Sequence, residues 1–539
     1  MPQADQSSPL NEPNLAYLPG SPERAALKGA LQRIAGERIE IPLEIAGRSV
    51  MTAHRATAVM PHAHRHVLGD VALAGRADVQ RAIDAALAAR REWSARSLEE
   101  RAAVFLKAAD LLAGPWRAVV NAATMLGQSK TAIQAEIDAA AEMVDFWRFN
   151  VHFARELAAE QPISTSAARN ELDYRPLEGV VYAVTPFNFA SIAGNLPTAP
   201  ALMGNAVVWK PASSAMLSAH YLMRLLIEAG LPPGVINMVA GDAGEVSDVV
   251  LASPHLAGVH FTGSTAVFDA IQSRIATDLP RYRSYPRVVG ETGGKDFVVA
   301  HASADPQALA VALVRGAFEY QGQKCSAASR AYVPQSLWPD VRDRVVAMMR
   351  ELPMGDPADF RTFMGAVIDR RALDRISGYL ADARAHARVL HGGSVHGEEG
   401  HFVDATLVET DDPSYRLLQE EIFGPVLTVH PYADDDWAGT LALVDGTSPY
   451  ALTGAVFAQD EAAVQEAKHA LRDAAGNFYV NDKPTGAVVG QQPFGGARRS
   501  GTNDKAGSKL NLIRWVSPRT IKTTHQPPTD WRYPYMSEQ

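Results

Sequence analysis

From Ala77 to Trp93, Val79, Ile83 and Leu87 recur at four-residue steps on an Ala-rich background. That spacing gathers them on one face and predicts an amphipathic helix. Ile133, Ile137 and Val144 mark a second helix, ending near Trp147. After Pro176 the texture changes. Short continuous apolar runs (Gly179–Val184, Ala206–Trp209 and Gly234–Val239) alternate with helical stretches such as residues 215–229. Strands that are apolar along their whole length, separated by helices, predict a parallel sheet covered on both faces. The texture returns from Phe297 to about Gly454, so the pattern predicts two α/β domains meeting near residue 290. Residues 1–20, rich in Pro, Ser and Asn, predict an arm wrapped over the surface.

Composition narrows the picture. A chain of 539 residues is too long for one core and fits two or three domains. An apolar fraction of 47% with 21% charged residues is that of an ordinary globular protein. The net charge of −9 recommends neither a nucleic-acid nor an anionic-membrane partner. No apolar run reaches the ~18 residues of a spanning helix. No Lys or Arg precedes Arg24, while Asp5, Glu12 and Glu23 are acidic, which fits neither a secretory signal nor an Arg-rich transit peptide. A cytoplasmic location is the expectation.

Cys325 is the only cysteine, so it forms no internal disulfide and no multi-thiolate metal site. Two roles remain: a packed apolar side chain or a reactive nucleophile. The polar flanks Gly322, Gln323, Lys324 and Ser326 point to the second, and the charge of Lys324 favours thiolate. His62, His64 and His66 alternate along a candidate strand, where they either share a metal or line an exposed hairpin edge. No nearby cysteine or paired carboxylate supports the metal.

Four further segments carry possible chemistry, each with an ordinary alternative. Asn188, after the strand 180–184, is placed to donate to an oxyanion or is a turn residue. Lys210 closes an apolar strand, where a lysine either reaches a ligand crevice or is solvated. Phe261-Thr262-Gly263-Ser264-Thr265 reads as strand, turn and helix start, with Ser264 as N-cap, but it lacks the G-x-G-x-x-G pattern. Glu291 lies between a strand and Gly293-Gly294, as a cleft base or a surface residue.

Together, in this order and spacing, Asn188, Lys210, the 261–265 turn, Glu291, Cys325 and Glu421-Ile422-Phe423-Gly424-Pro425 resemble the aldehyde dehydrogenase superfamily. Longer stretches, Thr185–Phe189, Gly322–Ala327, Asn477–Lys483, Gly490–Arg498 and Ser500–Lys505, resemble its branch acting on 1-pyrroline-5-carboxylate. The likeness covers roughly residues 40–535. It implies an α/β aldehyde-dehydrogenase-like fold with a Rossmann-type NAD domain, an α/β catalytic domain and a small oligomerisation hairpin. The corresponding layout is an arm at 1–40, the NAD domain at 41–158 and 178–290, the catalytic domain at 291–514, and the oligomerisation element at 159–177 and 515–539.

The resemblance also implies roles. Cys325 is the nucleophile, Asn188 an oxyanion donor and Glu291 the base that activates hydrolytic water. Thr185, Lys210, Ser213, Gly244, Gly263, Ser264, Thr265, Ala266, Val267, Glu421 and Phe423 line the cofactor groove. Many superfamily members carry Glu where Ser213 stands, so NAD is expected but rejection of NADP is not secured. Phe187, Ser326, Gly486, Ala487 and Phe494 are the implied substrate residues, the two in the 483–488 loop offering backbone N–H groups to a carboxylate. Arg498 and Arg499 add nearby positive charge. The implied reaction is NAD-dependent oxidation of L-glutamate γ-semialdehyde to glutamate, the second step of proline catabolism. No metal is implied. A homo-oligomer and transient contact with a separate proline dehydrogenase are the implied partnerships. Two alternatives stay open: another ω-semialdehyde, such as the succinic one, or a catalytically silent binding protein on the same fold.

Overall fold

The computed structural model describes residues 8–536. Two seven-stranded sheets organise it. The first runs, edge to edge, Arg287–Glu291, Leu256–Thr262, Val180–Val184, Ala206–Lys210, Ile236–Met238, Leu43–Ile45 and Arg48–Val50. Its first five strands are parallel, and the last two close the edge antiparallel. Val180–Val184 and Ala206–Lys210 are almost wholly buried because helices cover both faces. Chain order reverses between Val180–Val184 and Leu256–Thr262, and the crevice beyond the carboxyl ends at such a reversal is where ligands bind. Thr185 and Gly263 follow those two strands directly.

The second sheet runs Arg388–His391, Thr406–Glu409, Val426–Tyr432, Ala328–Pro334, Asp296–Ala300, Thr453–Phe457 and Asn477–Val480. Only its first strand is antiparallel to its neighbour. The chain crosses from one sheet to the other through Thr292-Gly293-Gly294-Lys295. Glu291 therefore ends one sheet just before the other begins, while Cys325 lies just before Ala328–Pro334. A separate two-stranded ribbon pairs Ala168–Pro176 with Val516–Thr524.

The first helix expected from spacing is Arg76–Trp93, burying Val79, Ile83 and Trp93. The second differs from the expectation. A short helix Ala132–Ala135 passes into a π-helical turn, Glu136–Ala141, and then into Glu142–Ala159, well beyond Trp147. The π turn shifts the helical phase. Ile133 and Ile137, spaced as core residues, are instead 44% and 37% exposed on a cavity wall. Within the expected arm, residues 22–36 form a helix capped by Ser21 that buries Leu27, Leu31 and Ile34.

The three histidines do not share a site. His62 is buried, not on an exposed edge, with Nδ1 3.2 Å from Ser129 Oγ. The His64 ring stacks on His401, and His66 Nε2 lies 2.8 Å from the Ala35 carbonyl. Among the described residues, no helix is long and apolar enough to cross a membrane.

Candidate active site

Helix Pro306–Phe318 is followed by three consecutive left-handed residues, Tyr320 (φ 51°), Gln321 (φ 55°) and Gly322 (φ 64°). Two of the three are not glycine, and such strain persists only where surrounding contacts enforce it. Gln321 supplies several: its Nε2 donates to the carbonyls of Ser129 (3.1 Å) and Ala366 (2.9 Å), and its Oε1 accepts from the Gly365 N–H. The Tyr320 ring faces the Lys130 ammonium at 4.4 Å. Gly322 has no room for a side chain, since a Cβ there would lie 2.2 Å from the Gly424 carbonyl oxygen. The turn delivers Cys325, partly exposed, to a cavity of about 360 Å³.

Cys325 shares that cavity with Glu291, Ser326, Gly486, Ala487 and Phe494. The Asn188 amide donates to the Gln323 carbonyl (3.1 Å), two residues before the thiol. Burial pushes the Glu291 carboxyl up to about 8, with Lys505 opposing and Asp504 adding to the shift. Burial also pushes the Cys325 thiol well up, and the carboxylates of Glu291, Asp296 and Glu421 add to it. Lys324 does not offset this. Its ammonium lies 3.4 Å from Glu319 Oε2, so the expected help to the thiolate from the neighbouring residue is corrected. Ser326 Oγ donates to Thr485 Oγ1 (2.9 Å), and Gly486 sits at φ 103°, a conformation that suits only glycine.

Thr185, Lys210 and the turn at Gly263 follow or end strands at or next to the sheet reversal. Buried Thr185 donates its N–H to the Lys210 carbonyl, and its hydroxyl accepts from Trp209 Nε1. Burial lowers the Lys210 ammonium's affinity for its proton, with Asp242 opposing. Ser213 and Gly244 are exposed. Ser264 caps helix Thr265–Thr277, so Gly263, Ser264, Thr265, Ala266 and Val267 surround a helix start whose N–H groups suit an anion. Glu421 accepts from the Gly294 N–H (2.9 Å), and burial raises its carboxyl. Phe423, left-handed at φ 55°, packs edge-on against Phe187 at 5.8 Å. Phe187 lies one residue before Asn188, at the carboxyl end of Val180–Val184. Arg498 pairs with Asp445 and Arg499 with Asp269.

The cavity also gathers charged groups whose grouping motif spacing did not disclose. Arg315, Lys324 and Lys483 gather around Glu319; burial opposes that carboxylate's charge, but the three cations hold it below its ordinary value. Another wall carries Asp138, Glu142 and Asp145, with Phe146, Phe189 and Ile192 nearby. The Glu142 carboxyl accepts from Ser191 Oγ and is pushed up to about 8, by burial first and by Asp138 second. Asp138 pairs with buried Lys130.

A doubly wound sheet with a dinucleotide-type crevice, joined to a second parallel sheet that presents one cysteine beside a buried carboxyl, defines an aldehyde dehydrogenase architecture. The Aldehyde dehydrogenase family model matches residues 50–521, and the chain belongs to that family. It is similar to the Δ-pyrroline-5-carboxylate dehydrogenase of Mycobacterium tuberculosis bound with NAD: 55% identity, TM-score 0.96, all of both chains covered. The mitochondrial Δ-1-pyrroline-5-carboxylate dehydrogenase of Mus musculus is 52% identical, over 98% of this chain and 94% of the relative. Proline utilization A from Bdellovibrio bacteriovorus is 30% identical with a TM-score of 0.91, over 97% of this chain and 54% of the larger one. The mouse relative's mitochondrial name overturns the cytoplasmic expectation. The charge of the first residues speaks only to particular leader types and does not by itself fix a compartment.

Proposed function

We propose that this chain catalyses the NAD-dependent oxidation of L-glutamate γ-semialdehyde, formed from 1-pyrroline-5-carboxylate, to L-glutamate in proline catabolism. The observation that carries the proposal is the single cavity in which Cys325 and Glu291 meet the loop of Gly486 and Ala487, with cationic and acidic groups in its walls. A zwitterionic head needs both signs of charge. The α-carboxylate fits the N–H groups of Gly486 and Ala487 and the surplus charge of Arg315, Lys324 and Lys483. The α-ammonium fits Glu142, whose carboxyl releases its proton to solvent when a cation is seated beside it.

In the mechanism, the Cys325 thiol loses its proton to solvent and the sulfur bonds to the aldehyde carbon as the carbonyl π pair moves onto oxygen, giving an ionised thiohemiacetal. Its oxyanion is held by the Asn188 amide and the Cys325 N–H. Thr185, Lys210, the helix start at Ser264 and Glu421 would hold NAD, which would supply the hydride acceptor when bound. After oxidation a thioester remains on Cys325. Glu291, deprotonated, takes a proton from water as its oxygen attacks the thioester carbon; the carbon–sulfur bond breaks, and glutamate and the thiolate are released. We assign residues 41–158 and 178–290 to the cofactor domain and residues 291–514 to the catalytic domain. The exposed ribbon of Ala168–Pro176 and Val516–Thr524 supports a homo-oligomer built through it, which light scattering tests. Transient contact with a proline dehydrogenase is part of the same proposal; free release of the intermediate in coupled kinetics counts against it.

The deciding experiment follows NADH absorbance with glutamate γ-semialdehyde and succinic semialdehyde, each with NAD and NADP. Equal kcat/KM for the two aldehydes rejects the assignment of the amino-acid head.

A further inference from the structure

Residues 11–17 form a strap whose Asn11, Glu12 and Asn14 line the cavity. Asn11 Nδ2 donates to Asp145 Oδ2 and to the Val489 carbonyl, both at 2.8 Å, while Asn11 Oδ1 accepts from Gln491 Nε2 at 2.8 Å. One side chain thereby ties helix Glu142–Ala159 to the loop that carries Gly486 and Ala487. The Glu12 N–H donates to Asp145 Oδ1 (2.7 Å), and the Glu12 carboxylate accepts from Arg117 (2.6 Å) and Arg148 (2.7 Å). Farther along, the Leu15 N–H and the Tyr17 hydroxyl both donate to Glu136, at 2.8 and 2.6 Å.

These anchors bracket the π turn. Glu136 opens it, and Asp145 lies in the first turn of the helix that follows. Between them stand Ile137, Asp138, Ala141 and Glu142, which face the cavity. A π turn is an uncommon conformation that needs support, and one inserted residue rotates every side chain after it. Asn11, Glu12 and Asn14 themselves line the cavity. The strap is thus both part of the wall and the splint for the rest of it.

We infer that residues 11–17 form a positioning element for the amino-acid end of the substrate, with Asn11 coupling the acidic wall to the carboxylate-binding loop. The inference rests on the cavity being the site of the amino-acid aldehyde. Asn11 touches neither the thiol nor the cofactor groove, so it acts on KM for one class of substrate, not on the chemical step.

The test uses the full-length enzyme and its Asn11→Ala, Asn11→Asp and Glu12→Gln variants. Each is assayed with glutamate γ-semialdehyde and with propanal, which lacks the α-amino acid head. Asn11→Asp keeps the size but cannot donate and sets a like charge against Asp145, so Glu12→Gln, which adds no charge, serves where both Asn11 variants fold poorly. Losing hydrogen bonds to a charged partner raises KM for the semialdehyde, and the Kd of L-glutamate, about tenfold. Values of kcat, KM for NAD and kcat/KM for propanal stay near wild type. Folded variants with unchanged KM overturn the inference, as does an equal loss on both aldehydes, which marks a merely structural strap. A wild type that does not turn over the semialdehyde rejects the site assignment itself, whatever the variants do.

Discussion

The side-chain amide of Asn188 donates to the main-chain carbonyl of Gln323 at 3.1 Å, bridging the end of strand Val180–Val184 to the nucleophile's turn. The donor is therefore held beside Cys325 and has only to exchange one acceptor for another as an oxyanion forms. Asn188→Ala should lower kcat by roughly 10²–10³ with little change in KM for NAD, measured as steady-state NADH production. A loss under about tenfold would remove Asn188 from the oxyanion site.

Glu291 sets the pH dependence. Its carboxyl is pushed up to about 8, mainly by burial, and only the deprotonated form accepts a proton from water. Thioester hydrolysis should rise with pH through about 8 and then level. Glu291→Gln should abolish that rise and leave an acyl-enzyme that trapping and mass spectrometry detect. The stability effect has the opposite sense. Because the folded value lies above the ordinary 4.5, the contribution is fully present below 4.5 and is lost as pH rises through about 8.

Gly294 governs the approach of the two sheets. A Cβ there would lie 2.2 Å from the Cys325 carbonyl oxygen and 2.4 Å from Asp296 Oδ2. The first of these is main chain and cannot swing aside. Gly294→Ala should move the nucleophile's turn and cost at least about a hundredfold in kcat/KM, by the scale of small misplacements at reacting centres. Iodoacetamide labelling of Cys325 should change in parallel. Full activity in this variant would mean the loop relaxes freely.

Much of this arrangement was legible in the chain. Val180–Val184 and Ala206–Trp209 are apolar at every position because helices cover both faces, and that is a local signal. Capping at Ser264 was equally local. What was not legible depends on contacts far apart in sequence or on a change of helical phase. The π turn at Glu136–Ala141 leaves no mark in residue spacing, so Ile133 and Ile137 read as core. Lys324 read as a thiolate partner because it adjoins Cys325. The left-handed turn carries it back to Glu319 instead. The packing of Phe187 on Phe423, more than two hundred residues away, is of the same long-range kind.

Cofactor choice should hinge on Ser213. It is exposed where strand Ala206–Lys210 gives way to a short 3-10 turn, and it carries no charge to repel a 2′-phosphate. Ser213→Glu should lower kcat/KM with NADP by about tenfold while changing that with NAD far less, since a like charge a few ångströms from the phosphate costs about 1.4 kcal/mol. An unchanged ratio of the two cofactors would move the ribose end of the nucleotide away from this turn.

Glu142 offers a proton-linked signature of substrate binding. Its carboxyl is pushed up to about 8 by burial and by Asp138, so at pH 7 it is mostly protonated in the free enzyme. An α-ammonium seated against it reverses that balance, because an opposite charge within a few ångströms favours the ionised form. L-glutamate binding at pH 7 should therefore release close to one proton, read as a dependence of calorimetric heat on the buffer's ionisation enthalpy. In Glu142→Gln the release should vanish and KM for the semialdehyde should rise, with propanal kinetics little affected. If the variant still releases the proton, another group on the acidic wall receives the ammonium, and Asp145, itself raised mainly by burial, is the next to substitute.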